Sequence, residues 1–436
     1  MQDCIDGVRW ESWRAHGKGL VGCAHTRAME TTEAFRGLEC VDCGAVHEAT
    51  VATVCPDCGS SLDPVYEYTS ISAESIRNGG DPDSGQTNSG TRARAREAFA
   101  ALLPLAPETS LTAGEGDTPL VAAPRLADEL DVAEVMIKDE GSNPTGSALD
   151  RGICLAVSAA AELAHEQSVE PLAVASPGNA GQSAAAYAGR ADLRSYAFVP
   201  SRCAFPNKAM INVHGGEMQV AGGRLGDAVA ALDDRLAADH HDLGAFVTPY
   251  RHEGAKLIAF EIAQEREWDA PDVVVVPATT GELVTGVAKG FHELETLGLV
   301  GATPAVVAAQ ADGCAPIAKA WNEGNDQADP WELPDTIAGE LEVPNPAGAA
   351  EAISAVHDTD GTAVTAADDE ILESAVAVAA NEVLEMGAAG GVAPAGAWKL
   401  ASENWFDPDD SVVLVNTGSG LKTPDVLRSH LMGRGV

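Results

Sequence analysis

The chain has 436 residues, 45% of them hydrophobic, and sets 66 Asp and Glu against 27 Lys and Arg, a formal net charge of −39. A surface this acidic repels nucleic acid and anionic membranes, which argues against both as partners. No apolar run approaches the ~18 residues that a membrane span needs, and no apolar core near the N-terminus marks a signal peptide, so a cytoplasmic location is expected. The acids are spread along the chain rather than clustered, which reads as adaptation to a high-salt cytoplasm rather than as a cation-binding device.

In chain order, residues 1–28 come first, with four Lys and Arg, three Asp and Glu and two Trp, a balance unlike the rest. From Met29 the sequence turns acidic. Residues 1–37 are expected to be a leader, either without fixed structure or upstream of a true start at Met29. Next come two C-x-x-C knuckles, Cys40 with Cys43 and Cys55 with Cys58, eleven residues apart and each followed by glycine. Tetrahedral zinc needs four thiolates, and this spacing supplies them, so residues 38–68 are expected to form a zinc ribbon with a closed, structural site. A cytoplasmic chain disfavours the alternative of two disulfides. Cys4, Cys23, Cys154, Cys203 and Cys314 are scattered and read as ordinary. The stretch 69–97 ends in "RNGGDPDSGQTNSGTRARARE" and reads as a linker.

From about residue 98 the pattern changes. Apolar β-branched runs ("EVMIK", "PLAVAS", "SYAFVP", "DVVVVPAT", "PAVVAAQ", "SVVLVNTG") alternate with Ala-rich helical stretches. Near-continuous apolar strands alternating with helices predict parallel sheets covered on both faces, an α/β fold. Ligands bind such folds at the carboxyl ends of the strands. The loops 139–152, 175–182, 277–283 and 416–422 are therefore the candidate site. The first of them, "GSNPTGSALDRG", reads as a turn followed by a helix start, with Ser147 as candidate N-cap.

Six ordered motifs carry a resemblance: "LECVDCG…CPDCGSSLDPVYEY", "GEGDTPLVAAPRLA", "IKDEGSNPTGS-DRG", "ASPGNAGQSAAAYA", "RHEGAKLIAFEIAQE" and "VNTGSGLKTPD". Together, over residues 38–436, they resemble archaeal and bacterial threonine synthase. That enzyme belongs to the pyridoxal-phosphate family that also holds the tryptophan synthase β chain and threonine dehydratase. The resemblance implies fold type II: two parallel-sheet, three-layer subdomains within 98–436, the smaller nested at about 145–245, behind a zinc ribbon. It also implies a pyridoxal-phosphate lyase of amino-acid biosynthesis that converts O-phosphohomoserine to threonine, and a homodimer.

The departures from the family fall on reactive atoms. Leu149 stands where the family has the lysine that forms the Schiff base and moves protons, and a leucine can do neither. In "VVVVPATTGELVTG" only Gly281 is left to cradle a phosphate, with Thr279 and Glu282 at family glycine positions. A carboxylate aimed at a phosphate costs ~4 kcal/mol per charge pair at 4 Å and intermediate dielectric. Other matches survive: Gly178 and Asn179, the latter at the position that hydrogen-bonds the pyridoxal hydroxyl; Thr417, facing the pyridine nitrogen; and Ser147, Asp150 and Arg151. The same residues have plainer readings. Asn179 suits a left-handed turn, Thr417 a strand end, Asp150 a helix start and Arg151 a surface ion pair. Lys138, Lys208, Lys256 and Lys422 are the candidates to replace the lost amine. Three functions follow. The first is a catalytically degenerate homologue that binds a small amino-acid-like ligand or an active paralogue. The second is an active enzyme with relocated chemistry, and the third a non-catalytic interaction module.

Overall fold

The computed structural model describes residues 29–49, 54–79, 95–164, 169, 171–235 and 240–433, so the expected leader segment 1–28 lies outside the described residues. Residues 29–37 do not behave as a leader. Met29 is buried, its sulfur 3.9 Å from the Tyr250 hydroxyl, and Phe35–Cys40 forms strand β1. An apolar side chain so placed leaves water for the core, which fixes the segment. β1 pairs antiparallel with β2 (Val46–His47) and β3 (Leu62–Tyr66) in a small sheet of order β2-β1-β3. In the stretch expected as a linker, Ala73–Arg77 is helical and capped by the Ser72 side chain, while residues 80–94 lie outside the described ones.

The body begins with β4 (Leu120–Ala122) and β5 (Glu134–Asp139). A second group follows: β6 (Leu172–Ala175), β7 (Ser195–Val199), β8 (Glu217–Val220) and β9 (His241–Asp242). The chain then returns to the first group with β10 (Val273–Pro277), β11 (Ala305–Ala311), β12 (Thr362–Ala366) and β13 (Ser411–Asn416). The larger sheet has the order β12-β11-β10-β13-β5-β4 and is parallel except for β4. The smaller, β8-β7-β6-β9, is parallel throughout. β10 is buried at all five positions, as a strand covered on both faces must be. The α/β fold with two parallel sheets and a ribbon read from the sequence is the fold observed.

The strand orders place the site. In the smaller sheet the chain runs outward from β6 to β7 and β8, while β9 is added on the other side. In the larger sheet it runs from β10 to β11 and β12, while β13 and β5 lie on the other side. β6 and β10 are thus the switch points, where neighbouring connections leave in opposite directions and open a crevice. The loops after these two strands are 175–182 and 277–283.

The Leu149–Leu163 helix has no solvent face; twelve of its fifteen residues are buried. It packs against the helices Asn179–Arg190 and Tyr250–Ala255. Its crossing with the latter is backbone on backbone. A Cβ on Gly152 would lie 2.4 Å from the Arg251 carbonyl oxygen, and one on Gly254 would lie 2.3 Å from that of Arg151. Only glycine permits this approach, and it holds Arg251 close to the start of the Leu149–Leu163 helix.

Candidate functional site

All four candidate loops meet at one open cavity of about 100 Å³. Ser147 and Leu149 come from the first loop, Ser176, Pro177 and Asn179 from the second, Thr279 and Thr280 from the third and Thr417 from the fourth. Leu149 is half-buried against the core and presents an aliphatic wall. Ser147 is not the N-cap. That position falls to Ala148, because Ser147 bridges to Gly418 just before the helix; its hydroxyl still accepts the Leu149 N–H at 3.3 Å. The Ala148 N–H donates to the Thr417 carbonyl at 3.0 Å, which locks the fourth loop to the first.

The glycines of the second and third loops are there for close approach. Gly178 has φ 155°, and a Cβ on it would lie 2.4 Å from Asn207 Nδ2; Gly281 has φ 95°, and its Cβ would lie 2.2 Å from the Gly348 carbonyl oxygen. Gly281 precedes the fifteen-residue helix Glu282–Thr296, whose N-terminus favours an anion. An anion is already present. The Glu282 carboxylate, 2% exposed, meets Arg251 Nη2 at 2.5 Å and the Thr280 hydroxyl at 3.3 Å. Arg251 Nη1 donates to the Leu243 carbonyl at 2.9 Å, and its Nε has no partner. The sequence signalled Glu282 as repulsive toward a phosphate. It gave no sign that Arg251, in the quoted "RHEGAK" motif, neutralises it.

Across the cavity stands Glu340, in the turn Gly339–Leu341. It is half-buried and takes a hydrogen bond from Asn207 Nδ2 at 3.2 Å; burial pushes its carboxyl up, against the pull of the Lys422 ammonium. Nearby, the buried Asn179 Oδ1 is without a partner. Glu340, Leu341, Val343, Leu225 and Ala389 were missed as cavity residues, since they come from segments far from the four loops and no spacing pattern marks them.

Among the described residues, no lysine lines the cavity. Lys422 is buried near the fourth loop. Burial pulls its ammonium below the usual range, and its Nζ donates to Gln182 at 2.7 Å and Asn207 at 3.0 Å. Lys208 faces outward, on the Ser201 carbonyl at 2.9 Å. Lys138 pairs with Glu261 at 2.9 Å and Glu265 at 2.7 Å, and Lys256 with Glu253 at 2.6 Å and Glu293 at 2.9 Å. Arg151 is not a surface residue. It is fully buried, forked between Glu140 and Glu261 at 2.6–2.8 Å. Asp150 accepts from the Thr145 N–H at 2.7 Å and its hydroxyl at 2.6 Å. Both residues brace the helix start rather than the cavity.

The sulfurs of Cys40, Cys43, Cys55 and Cys58 lie within 4.8 Å of one another, with Cys40 to Cys58 at 3.3 Å and Cys43 to Cys55 at 3.8 Å, and all four are unpaired thiols. Four thiolates at ~2.3 Å from one zinc would lie ~3.8 Å apart. The cluster can therefore hold such an ion.

The chain matches the pyridoxal-phosphate dependent enzyme family over residues 111–418. It is 32% identical to the threonine synthase of Methanosarcina acetivorans over 89% of this chain and 93% of that one. With the threonine synthase of Mycobacterium tuberculosis it shares 35% identity over 73% of this chain and 85% of that one. Among solved structures it resembles maize serine racemase, at TM-score 0.61 and 16% identity over 73% of this chain and 93% of that one. It also resembles a lysine-to-alanine mutant of O-ureido-L-serine synthase with O-ureido-L-serine bound, at TM-score 0.58 and 21% identity over 74% and 92% of the two chains. The chain belongs to the threonine synthase family of fold type II pyridoxal-phosphate enzymes.

Leu149 gives the cavity an aliphatic wall, and the carboxylate of Glu282, the first residue of its helix, is paired with Arg251.

Proposed function

We propose that this protein is a threonine synthase-like ligand binder that has lost Schiff-base catalysis. The observation that carries the reading is Leu149, which walls the cavity while its lining, among the described residues, holds no lysine. Covalent capture of an aldehyde and proton transfer at substrate carbon both need that amine. What survives is suited to binding. Ser147, Ser176, Thr279, Thr280 and Thr417, with Asn179, Arg251 and Glu340, set polar groups in an aliphatic lining, and the crevice lies where such folds take ligands. That a fold neighbour lacking a lysine retains its amino acid agrees with binding without the amine. On this reading the cysteine cluster carries one structural zinc. The body 98–436 is one pyridoxal-phosphate-type unit with the smaller subdomain nested at about 145–245.

The test combines spectroscopy with turnover. Protein mixed with pyridoxal phosphate should show no yellow, borohydride-reducible aldimine and should release no phosphate from O-phosphohomoserine. Amino acids screened by melting temperature should include stabilisers, since a ligand of the native state adds RT ln(1 + [L]/Kd). A reducible aldimine in the wild type would overturn the reading. Its loss in Lys422→Arg would then place the relocated amine.

A further inference from the structure

At about 100 Å³ the cavity falls short of the roughly 300–1,000 Å³ that small-molecule pockets enclose, so a ligand enters only if the walls part. One wall is a strap, residues 335–343, whose Glu340, Leu341 and Val343 line the cavity. The strap is fastened to the larger sheet. The Asp335 N–H donates to the Gly313 carbonyl at 2.9 Å, just past β11, and the Ile337 N–H donates to Asp368 at 2.8 Å, just past β12. Across the crevice, the loops after β7 and β8 of the smaller sheet each send it an arginine. Arg202 Nη1 and Arg224 Nη1 meet one carboxylate oxygen of Glu342 at 2.8 and 2.5 Å, and Arg202 Nη2 donates to the Thr336 carbonyl at 3.1 Å. A further tie runs from Asn207 Nδ2 to Glu340 at 3.2 Å. The Glu342 side chain is 6% exposed, but both arginines are 40% exposed, so ions in solution reach this cluster from the cationic side.

We propose that Glu342, Arg202 and Arg224 form an ionic latch between the strap and the smaller sheet, and that rising salt loosens the latch and so opens the way to the cavity. This rests on the reading above, that the cavity binds a ligand; it adds what governs entry. At low ionic strength the two guanidinium groups have one strong anion within reach, Glu342, and the strap stays down. At high ionic strength small anions screen the exposed arginines, and the closed form loses that advantage. Salt acts on the chain as a whole in the other direction. The exposed acids of a chain of net charge −39 repel one another, and screening them favours the folded form. An opening that grows with salt is therefore distinguishable from unfolding, which diminishes with salt.

Cys203 reports the opening. It is 5% exposed and shares a cleft under the strap with Arg202, Ile337, Gly339, Glu340 and Glu342, and burial pushes its thiol up to about 12, which keeps it inert while the strap is down. Cys154, 0% exposed in the Leu149–Leu163 helix, reports unfolding instead. The full chain is treated with iodoacetamide, a neutral reagent, at about 0.1 and 1 M KCl, where the Debye length is ~10 and ~3 Å, and alkylation of each cysteine is followed by peptide mass spectrometry. In the wild type the Cys203 rate should rise at least about threefold with salt, the scale of a partly exposed ion pair, while the Cys154 rate stays level or falls. Glu342→Gln should label Cys203 at the fast rate already at low salt and show no further rise. Should that variant expose Cys154 as well, Arg202→Gln, altered at an exposed arm of the latch, replaces it with the same expectation. A wild-type Cys203 rate that is flat or falls with KCl, or a rise that persists undiminished in the variants, would overturn the proposal. Either result leaves the loss of Schiff-base chemistry standing, because that reading fails only on an aldimine band with pyridoxal phosphate.

Discussion

At position 149 an introduced amine would face a cavity whose one guanidinium, Arg251, is already paired with Glu282. Leu149→Lys alone should therefore give at most a weak aldimine. The triple variant Leu149→Lys, Thr279→Gly, Glu282→Gly removes one carboxylate and one branched Cβ, and it frees Arg251 to meet a phosphate. Removing Glu282 also leaves a buried guanidinium unpaired, a cost of about 3–5 kcal/mol. The triple variant without cofactor should therefore melt well below wild type and recover when pyridoxal phosphate is added. Titrated at the aldimine band, it should bind at least tenfold tighter than the single variant, about 1.4 kcal/mol. Equal affinities would show that Leu149 is the whole lesion and that residues 279–282 do not oppose the cofactor.

Between elements, the ribbon and the cavity share two helices. Arg251 faces the cavity, while the next residues of its helix, His252 and Glu253, meet the ribbon at Asp63 (2.7 Å) and at the Tyr66 hydroxyl (2.7 Å). Glu282 begins a helix whose Lys289 reaches Asp63 at 2.7 Å and whose Glu293 reaches the Tyr68 hydroxyl at 3.1 Å. Lys256 sits over the Tyr66 ring, 4.3 Å from its centre. Chelating the metal, or Cys40→Ser, should unfold the ribbon. It should also lower the melting temperature of the body by several degrees, an effect of about 2 kcal/mol. Calorimetry that found the body unchanged would show that the ribbon is only appended. A second test concerns Glu261, which joins Arg151 of one helix to Lys138 of β5. Burial pushes its carboxyl up, but Arg151 and Lys138 outweigh burial and hold it at about 2. Its folded value is depressed, so its contribution is present above the unfolded value near 4.5 and is lost as pH falls toward 2. Glu261→Gln should flatten the acid-unfolding limb in that window; an unaltered limb would assign it to other groups. The strands and all four loops of the cavity were legible in the sequence because a period of apolar runs and a strand's end are local features. Arg251 and Glu340 were not, because their partners Glu282 and Asn207 lie 31 and 133 residues away. Nor was the burial of Arg151, since a charged residue reads as surface until its carboxylates are found.

For the whole molecule, two kinds of charge respond to salt in opposite degree. The interior pairs, Arg151 with Glu140 and Glu261 and Lys256 with Glu253 and Glu293, have side chains at most 3% exposed and are shielded from ions. The remaining acids give the net −39 and repel one another through solvent. Shortening the Debye length from ~10 Å at 0.1 M to ~3 Å at 1 M removes most of that repulsion and little of the interior attraction. The melting temperature should therefore climb steeply as KCl rises to about 1 M and level off beyond it. A salt that acts by exclusion from the surface would instead keep stabilising in proportion to its concentration, as sulfate does. Comparing KCl with potassium sulfate at equal ionic strength separates the two effects. A curve in KCl that is flat, or that falls, would mean that the acidic surface is not held back by self-repulsion, and the high-salt reading of the composition would fail.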